Sequence, residues 1–143
     1  MAEFKDAKVV GKAKGESFNG IKLVHPFMKE ASQVVMAEFV SAEDGTGCVH
    51  IAPGHGQEDY VLGSQLGLEI YSPISDEGKY IDDGRVPAEL VGLSTLEKNN
   101  KSEANEAVIA LLKKSNHLLA QKNITHQYPF CWRSKTPIIF RAV

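Results

Sequence analysis

Apolar and polar residues alternate through Cys48 to Ala52, with Val49 and Ile51 on one side and Cys48, His50 and Ala52 on the other, the period-two pattern of a strand. His50 then points away from Val49 and Ile51. Pro53, Gly54 and Gly56 break that strand, and Gln57 to Leu66 reads as a short helix stopped by Gly67. The same patterning predicts strands over Lys8 to Lys14 and Ile21 to Val24, joined by a reversal at Phe18, Asn19 and Gly20, where Asn-Gly supplies the backbone dihedrals a tight turn needs. Val34 to Val40 is a further β-branched run, and Ser41 to Gly47 turns it back antiparallel onto Cys48 to Ala52. Leu68 to Ser72 reads as strand, and a turn at Ser75 to Gly78 leads into another at Lys79 to Asp82.

One longer helix is expected from about Lys101 to Ser115. Ala104, Ala107, Val108, Leu111 and Leu112 share a face, Lys113 and Lys114 sit near the negative end of the helix dipole, and Asn100 with Glu103 has capping-box spacing. Leu118 to Ala120 and Pro137 to Ala142 return to strand, separated by the aromatic and basic connector HQYPFCWRSK. Antiparallel strands mixed with isolated helices favour an α+β or barrel-like architecture over a doubly wound sheet. The tail, ending Ile138 to Val143 without closing polar residues, suggests a chain cut from a longer polypeptide.

Composition narrows the function classes. At 143 residues, 43% hydrophobic and 24% charged, the chain fits one folded domain. A net charge of −2 leaves no strong basic field, so any nucleic-acid contact should be local and modest in area. Cys48 and Cys131 are the only cysteines and lack CxxC spacing, which indicates neither a disulfide framework nor a zinc site and fits a reducing cytoplasm. Neither a membrane span nor a secretory signal is visible.

The candidate chemistry concentrates in GTGCVHIAPGHGQEDY, Gly45 to Tyr60. Asp59 falls in the first turn of the short helix, where the dipole stabilises a carboxylate by roughly 0.3 to 1 kcal/mol and leaves it able to receive an ammonium group; capping the helix is the structural alternative. His50 is open between a site residue and a core histidine with a backbone partner. His50, His55 and Asp59 carry donors suited to a metal, but their spacing fits no ligand pattern with a physical basis, so no metal is expected. The PGHG bend lacks the lysine and the glycine spacing of phosphate loops. Cys48 sits inside a strand and no Ser occupies an elbow turn, which argues against covalent catalysis. A second cluster, His126, Tyr128, Trp132, Arg133 and Lys135, can stack on RNA bases or pack in a core.

Three stretches resemble the editing domain inserted into isoleucyl-tRNA synthetase: HPF at His25 to Phe27, GTGCVHIAPGHGQEDY at Gly45 to Tyr60, and HQYPFCWRSKTPIIFRA at His126 to Ala142. With the NEAVIALLKK helix they cover most of the chain from Ile21 onward, while residues 1–20 carry no distinctive match. The resemblance implies an α+β fold with an antiparallel β-barrel core and flanking helices, residues 21–125 forming barrel and helices and 126–143 a connector towards the synthetic domain. It also implies post-transfer editing. A synthetic pocket discriminates one methylene by only about 1 to 3 kcal/mol, isoleucine against valine being the standing example, so a second site must hydrolyse the valyl ester from isoleucine tRNA. By position in the motif, Asp59 would hold the α-amino group, His50 would shape a pocket that excludes isoleucine, and Pro53, Gly54, His55 and Gly56 would let substrate approach the backbone. The implied partners are the acceptor end of isoleucine tRNA carrying valine and the synthetic domain of the same parent chain, with no membrane. Editing would need no cofactor, ATP and magnesium serving only the parent's synthetic domain. One departure stands out: this chain contains no Thr-Thr-Pro-Trp-type run, the threonine-rich segment that in the family positions water, so the chain alone is expected to edit weakly or not at all.

Overall fold

The computed structural model describes residues 6–41, 43, 46–97, 101–122 and 127–143. Strand β1, Lys22–Val24, pairs antiparallel with β2, Ala31–Gln33, in the register Lys22 to Gln33, Leu23 to Ser32 and Val24 to Ala31. Pairing continues beyond the named strands, since Val34 donates to Ile21 O at 2.9 Å and Gly20 to Val34 O at 2.9 Å. Asn19-Gly20 does form a reversal, with Gly20 at φ +82°, but it leads from a 3-10 turn at Gly15–Phe18 rather than from a strand. Residues 8–14 form no strand, and Val10 is 99% exposed. The run expected over Val34 to Val40 forms no strand and does not pair with Cys48 to Ala52; β2 lies just before it.

The sheet is open, and no barrel is formed among the described residues. Cys48 to Ala52, Leu68 to Ser72, Leu118 to Ala120 and Pro137 to Ala142 join no ladder, and the region of Lys79 to Asp82 makes only single bridges, Ile74 to Tyr80 and Lys79 to Ser94. Alternation records which faces a segment would present. It does not supply the hydrogen-bonding neighbour that turns an extended segment into a strand.

Both helices form where the periodicity places them. Helix α1, Gln57–Leu66, ends at Gly67, whose φ of 66° gives the left-handed cap that frees its N–H to reach Gly63 O and Ser64 O. Helix α2, Glu103–Lys114, is capped by Ser102, whose hydroxyl accepts from Asn105 N at 3.3 Å and donates to Ser94 O at 3.1 Å; Asn100 lies outside the described residues. The buried apolar centre comprises Ile74, Val86, Leu90 and Ala104. Around it, Gly78 at φ +74° turns Ser75 back to Lys79, and Thr95 donates to Gly78 O at 2.9 Å.

That centre is small for the chain. The accessible surface is 11889 Å², against about 7,300 Å² for a compact monomer of 15.6 kDa. Much of the excess is apolar: Val24 is 90% exposed, Leu119 82% and Trp132 76%.

Candidate functional site

The bend from Pro53 to Gly56 is packed from three directions, each requiring a particular residue. Gly63 of α1 faces Pro53 so closely that an added Cβ would lie 2.7 Å from the proline ring, which seats the helix directly on the bend. Gly54 lies against the Tyr71 backbone, where a Cβ would fall 2.6 Å from the carbonyl carbon, and its own carbonyl accepts from Ala142 N at 2.8 Å. His55 N–H closes the turn onto Ala52 O at 2.8 Å. The motif is thus clamped between residues 71–72 and the chain's last residues.

Gly56 is the N-cap of α1, in extended conformation and without a side chain to cap it. Asp59, three residues on, does not cap its own helix. Its Oδ2 reaches back past Gly56 and accepts from Ala52 N at 2.9 Å, tying the end of the 48–52 segment to the helix. A Cβ on Gly56 would meet that oxygen at 2.8 Å, so glycine makes room for the carboxylate. Oδ1 has no protein partner among the described residues and sits at the positive end of the α1 dipole. His50, exposed, stands two residues from the amide that Asp59 holds.

His50 has a neighbour that the periodicity does not reveal. His25, from the HPF segment after β1, is half-buried, and its pKa is pushed below the usual histidine value first by burial and then by the nearby His50, with Glu30 opposing. Its Nδ1 accepts from Met28 N at 3.1 Å and Phe27 N at 3.4 Å, so the neutral ring caps that turn, with Phe27 packed edge-on at 4.7 Å. Glu30 is held in turn by Arg85, at 2.7 Å, and the Arg85 guanidinium also grips Glu69 at 2.6 and 3.0 Å and covers the Tyr71 ring at 3.8 Å. Burial and the Asp83 carboxylate it donates to push the Tyr71 hydroxyl up to about 12. This cluster fastens β2 to residues 69–85 beside the bend. Its members are scattered singly through the sequence, and no spacing marks them.

His55 goes elsewhere. A carbonyl oxygen can only accept, so the 3.0 Å contact to Phe140 O puts the hydrogen on Nδ1, and Nε2 is left buried without a partner among the described residues. The ring borders a cavity of about 410 Å³ with Pro73, Ile74, Tyr80, Ile138 and Phe140. Asp59 is thus tied to the segment that carries His50, while His55 faces the tail. Among the described residues no group of three or more His, Cys, Asp or Glu side chains is placed to hold a metal. Arg141, a further residue the motif did not single out, donates to Ile74 O at 2.9 Å and pairs with Asp76.

The second cluster forms a hairpin. Cys131 N donates to Thr136 O and Lys135 N to Cys131 O, both at 2.9 Å, Phe130 bridges to Pro137, and Lys135 takes a positive φ of 56° at the tip. Trp132 is outside any core, and Arg133 lies 5.2 Å over its ring. His126 lies outside the described residues.

Comparison with known proteins gives a consistent picture. The family described as "Leucyl-tRNA synthetase, editing domain" matches residues 2–113, including residues 2–20, where no distinctive motif stands. Curated relatives include the isoleucine–tRNA ligase of Nitratidesulfovibrio vulgaris strain DP4, 47% identical over 135 residues, covering 94% of this chain and 13% of that protein. Those of Thermoanaerobacter sp. strain X514, 43% identical over 99% of this chain and 14% of theirs, and Methylacidiphilum infernorum, 48% identical over 90% and 14%, are similar. The chain spans about one-seventh of the length of these relatives. On the extent of the family match, the chain belongs to the aminoacyl-tRNA synthetase editing-domain family described as "Leucyl-tRNA synthetase, editing domain".

Proposed function

We propose that this chain forms part of a post-transfer editing site that hydrolyses the ester of valine mischarged on isoleucine tRNA. The observation that carries the reading is the Asp59 carboxylate, fixed through Oδ2 by the Ala52 amide with Oδ1 unclaimed at a helix N-terminus. A primary ammonium, the one cation every aminoacyl ester carries, is the complement of that oxygen. His50 stands on the adjacent segment, where an imidazole limits the size of the side chain admitted, and Gly54 and Gly56 keep the bend free of side chains. Asp59 acts by orienting the ester, which places its carbonyl for attack by water; general-base activation of that water is not assigned to it.

The reading includes weak activity for the chain alone. Its support is the absence of a threonine-rich run from the sequence and the large apolar surface left uncovered. The test is a deacylation assay on valyl and isoleucyl esters of isoleucine tRNA, with and without the upstream editing segment of a relative supplied in trans. Valyl-selective hydrolysis that requires the segment and is lost in Asp59→Ala supports the proposal. Robust hydrolysis by the chain alone refutes the weak-activity part, and activity indifferent to Asp59 refutes the site.

A further inference from the structure

We propose that the hairpin 130–137 is a contact surface for single-stranded RNA, with Trp132 stacking on a nucleobase and Arg133 and Lys135 facing phosphates. All 18 acidic residues of the chain lie at or before Glu106, and six basic ones follow it. A chain of net charge −2 therefore has a carboxyl-terminal part that is net positive. Among the described residues neither Arg133 nor Lys135 has a carboxylate partner, whereas Arg85 and Arg141 elsewhere are engaged by Glu69, Glu30 and Asp76.

The hairpin also exposes a stacking surface. Trp132 is 76% exposed on a loop held by backbone hydrogen bonds, and Arg133 already lies over its ring at 5.2 Å. An indole face with a guanidinium beside it that no carboxylate pairs among the described residues matches the base-and-phosphate alternation of a single strand, which needs a flat apolar face and a cation a few ångströms apart. A protein partner would be served by the aromatic face but would not call for unpaired cations beside it; RNA is the occupant that uses both. The surface shares no residue with the Asp59 site and depends on the editing proposal only for the source of the RNA.

Trp132 is the sole tryptophan, so its fluorescence reports contact directly. An unstructured adenosine oligonucleotide of about 12 nucleotides, within the usual site size, is titrated into the 143-residue chain. The expected result is saturable quenching, with affinity that falls as salt rises. Anisotropy of the labelled oligonucleotide should show Trp132→Ala binding about 5- to 150-fold more weakly, the range that base stacking is worth, with Trp132→Phe recovering much of the loss. Arg133→Ala should lower the salt slope by about 0.7. The oligonucleotide carries no aminoacyl ester, so binding here and hydrolysis at the Asp59 site are read in separate assays and can fail separately. Unquenched Trp132 at saturation, or Trp132→Ala binding unchanged, overturns the proposal. So does equal quenching by inorganic polyphosphate, which would mean ion exchange without stacking.

Discussion

Gly54 and Gly56 stand two residues apart in the same bend, yet an added methyl group should have opposite consequences at the two positions. At Gly54 the new Cβ would lie 2.6 Å from the Tyr71 carbonyl carbon and 3.2 Å from Ser72 Cα, both main-chain atoms. Backbone cannot swing aside, so the bend must part from residues 71–72, at an overpacking cost of about 3 kcal/mol, with about 1 kcal/mol more if Ala142 loses its bond to Gly54 O. At Gly56 the nearest atoms, at 2.8 to 3.2 Å, all belong to the Asp59 side chain, and the N-cap backbone at φ −140°, ψ 142° accepts any residue. The carboxylate can rotate away, for about 1 kcal/mol, but in doing so it releases the Ala52 amide. Urea unfolding followed by circular dichroism measures the first effect: with a slope of roughly 1 to 3 kcal/mol per molar, Gly54→Ala should lower the midpoint by more than about 1 M. Gly11→Ala, with nothing within 4 Å of the new Cβ, is the control. Hydrogen exchange at the Ala52 amide measures the second, and should accelerate in Gly56→Ala with little change of midpoint. A Gly54→Ala protein as stable as the Gly11→Ala control, or an Ala52 amide indifferent to Gly56→Ala, would refute the packing described for the bend.

Other perturbations follow from the same contacts. Ser102→Ala removes the α2 cap and leaves Ser94 O without its hydroxyl partner, and should cost about 1 to 2 kcal/mol in urea unfolding, with Ser102→Thr recovering part of it. Arg85→Ala should lower the urea midpoint only slightly despite its contacts with Glu30, Glu69 and Tyr71, because Glu30 and Glu69 are substantially exposed and water screens them, and the loss should shrink at high salt. His25 has a folded-state pKa below 6.5, so the unfolded chain takes up its proton first; its contribution to stability is fully present above pH 6.5 and is lost as pH falls from there through the lowered folded-state value. His25→Asn should flatten that part of the stability profile, and NMR titration of the imidazole should place its midpoint below the ordinary histidine value.

What could be read from the sequence divides along a physical line. Both helices were legible because helical hydrogen bonds are local: the amphipathic face of Ala104 to Leu112 and the Gly67 stop contain the information that builds them. The turns at Asn19-Gly20 and Ser75 to Gly78 were legible for the same reason. Of the strands only Ile21 to Val24 was, forming β1; Lys8 to Lys14 and Cys48 to Ala52 alternate correctly but, among the described residues, have no neighbouring strand to pair with. Asp59 and His50 could be named from the motif, but the Ala52 amide that fixes Asp59 and the nearness of His25 to His50 are tertiary facts. The turn of His55 towards Phe140 is another, carried across most of the chain with no spacing to announce it.

The central claim is that Asp59 orients an aminoacyl ester at the bend, and hydrolysis of valyl against isoleucyl esters of isoleucine tRNA tests it most directly. With the upstream editing segment supplied, the chain should deacylate the valyl ester and spare the isoleucyl one. Asp59→Ala should abolish that activity while leaving the folded structure intact by circular dichroism. Equal rates on the two esters, or a folded Asp59→Ala chain that still deacylates valyl-tRNA at the parent rate, would contradict it.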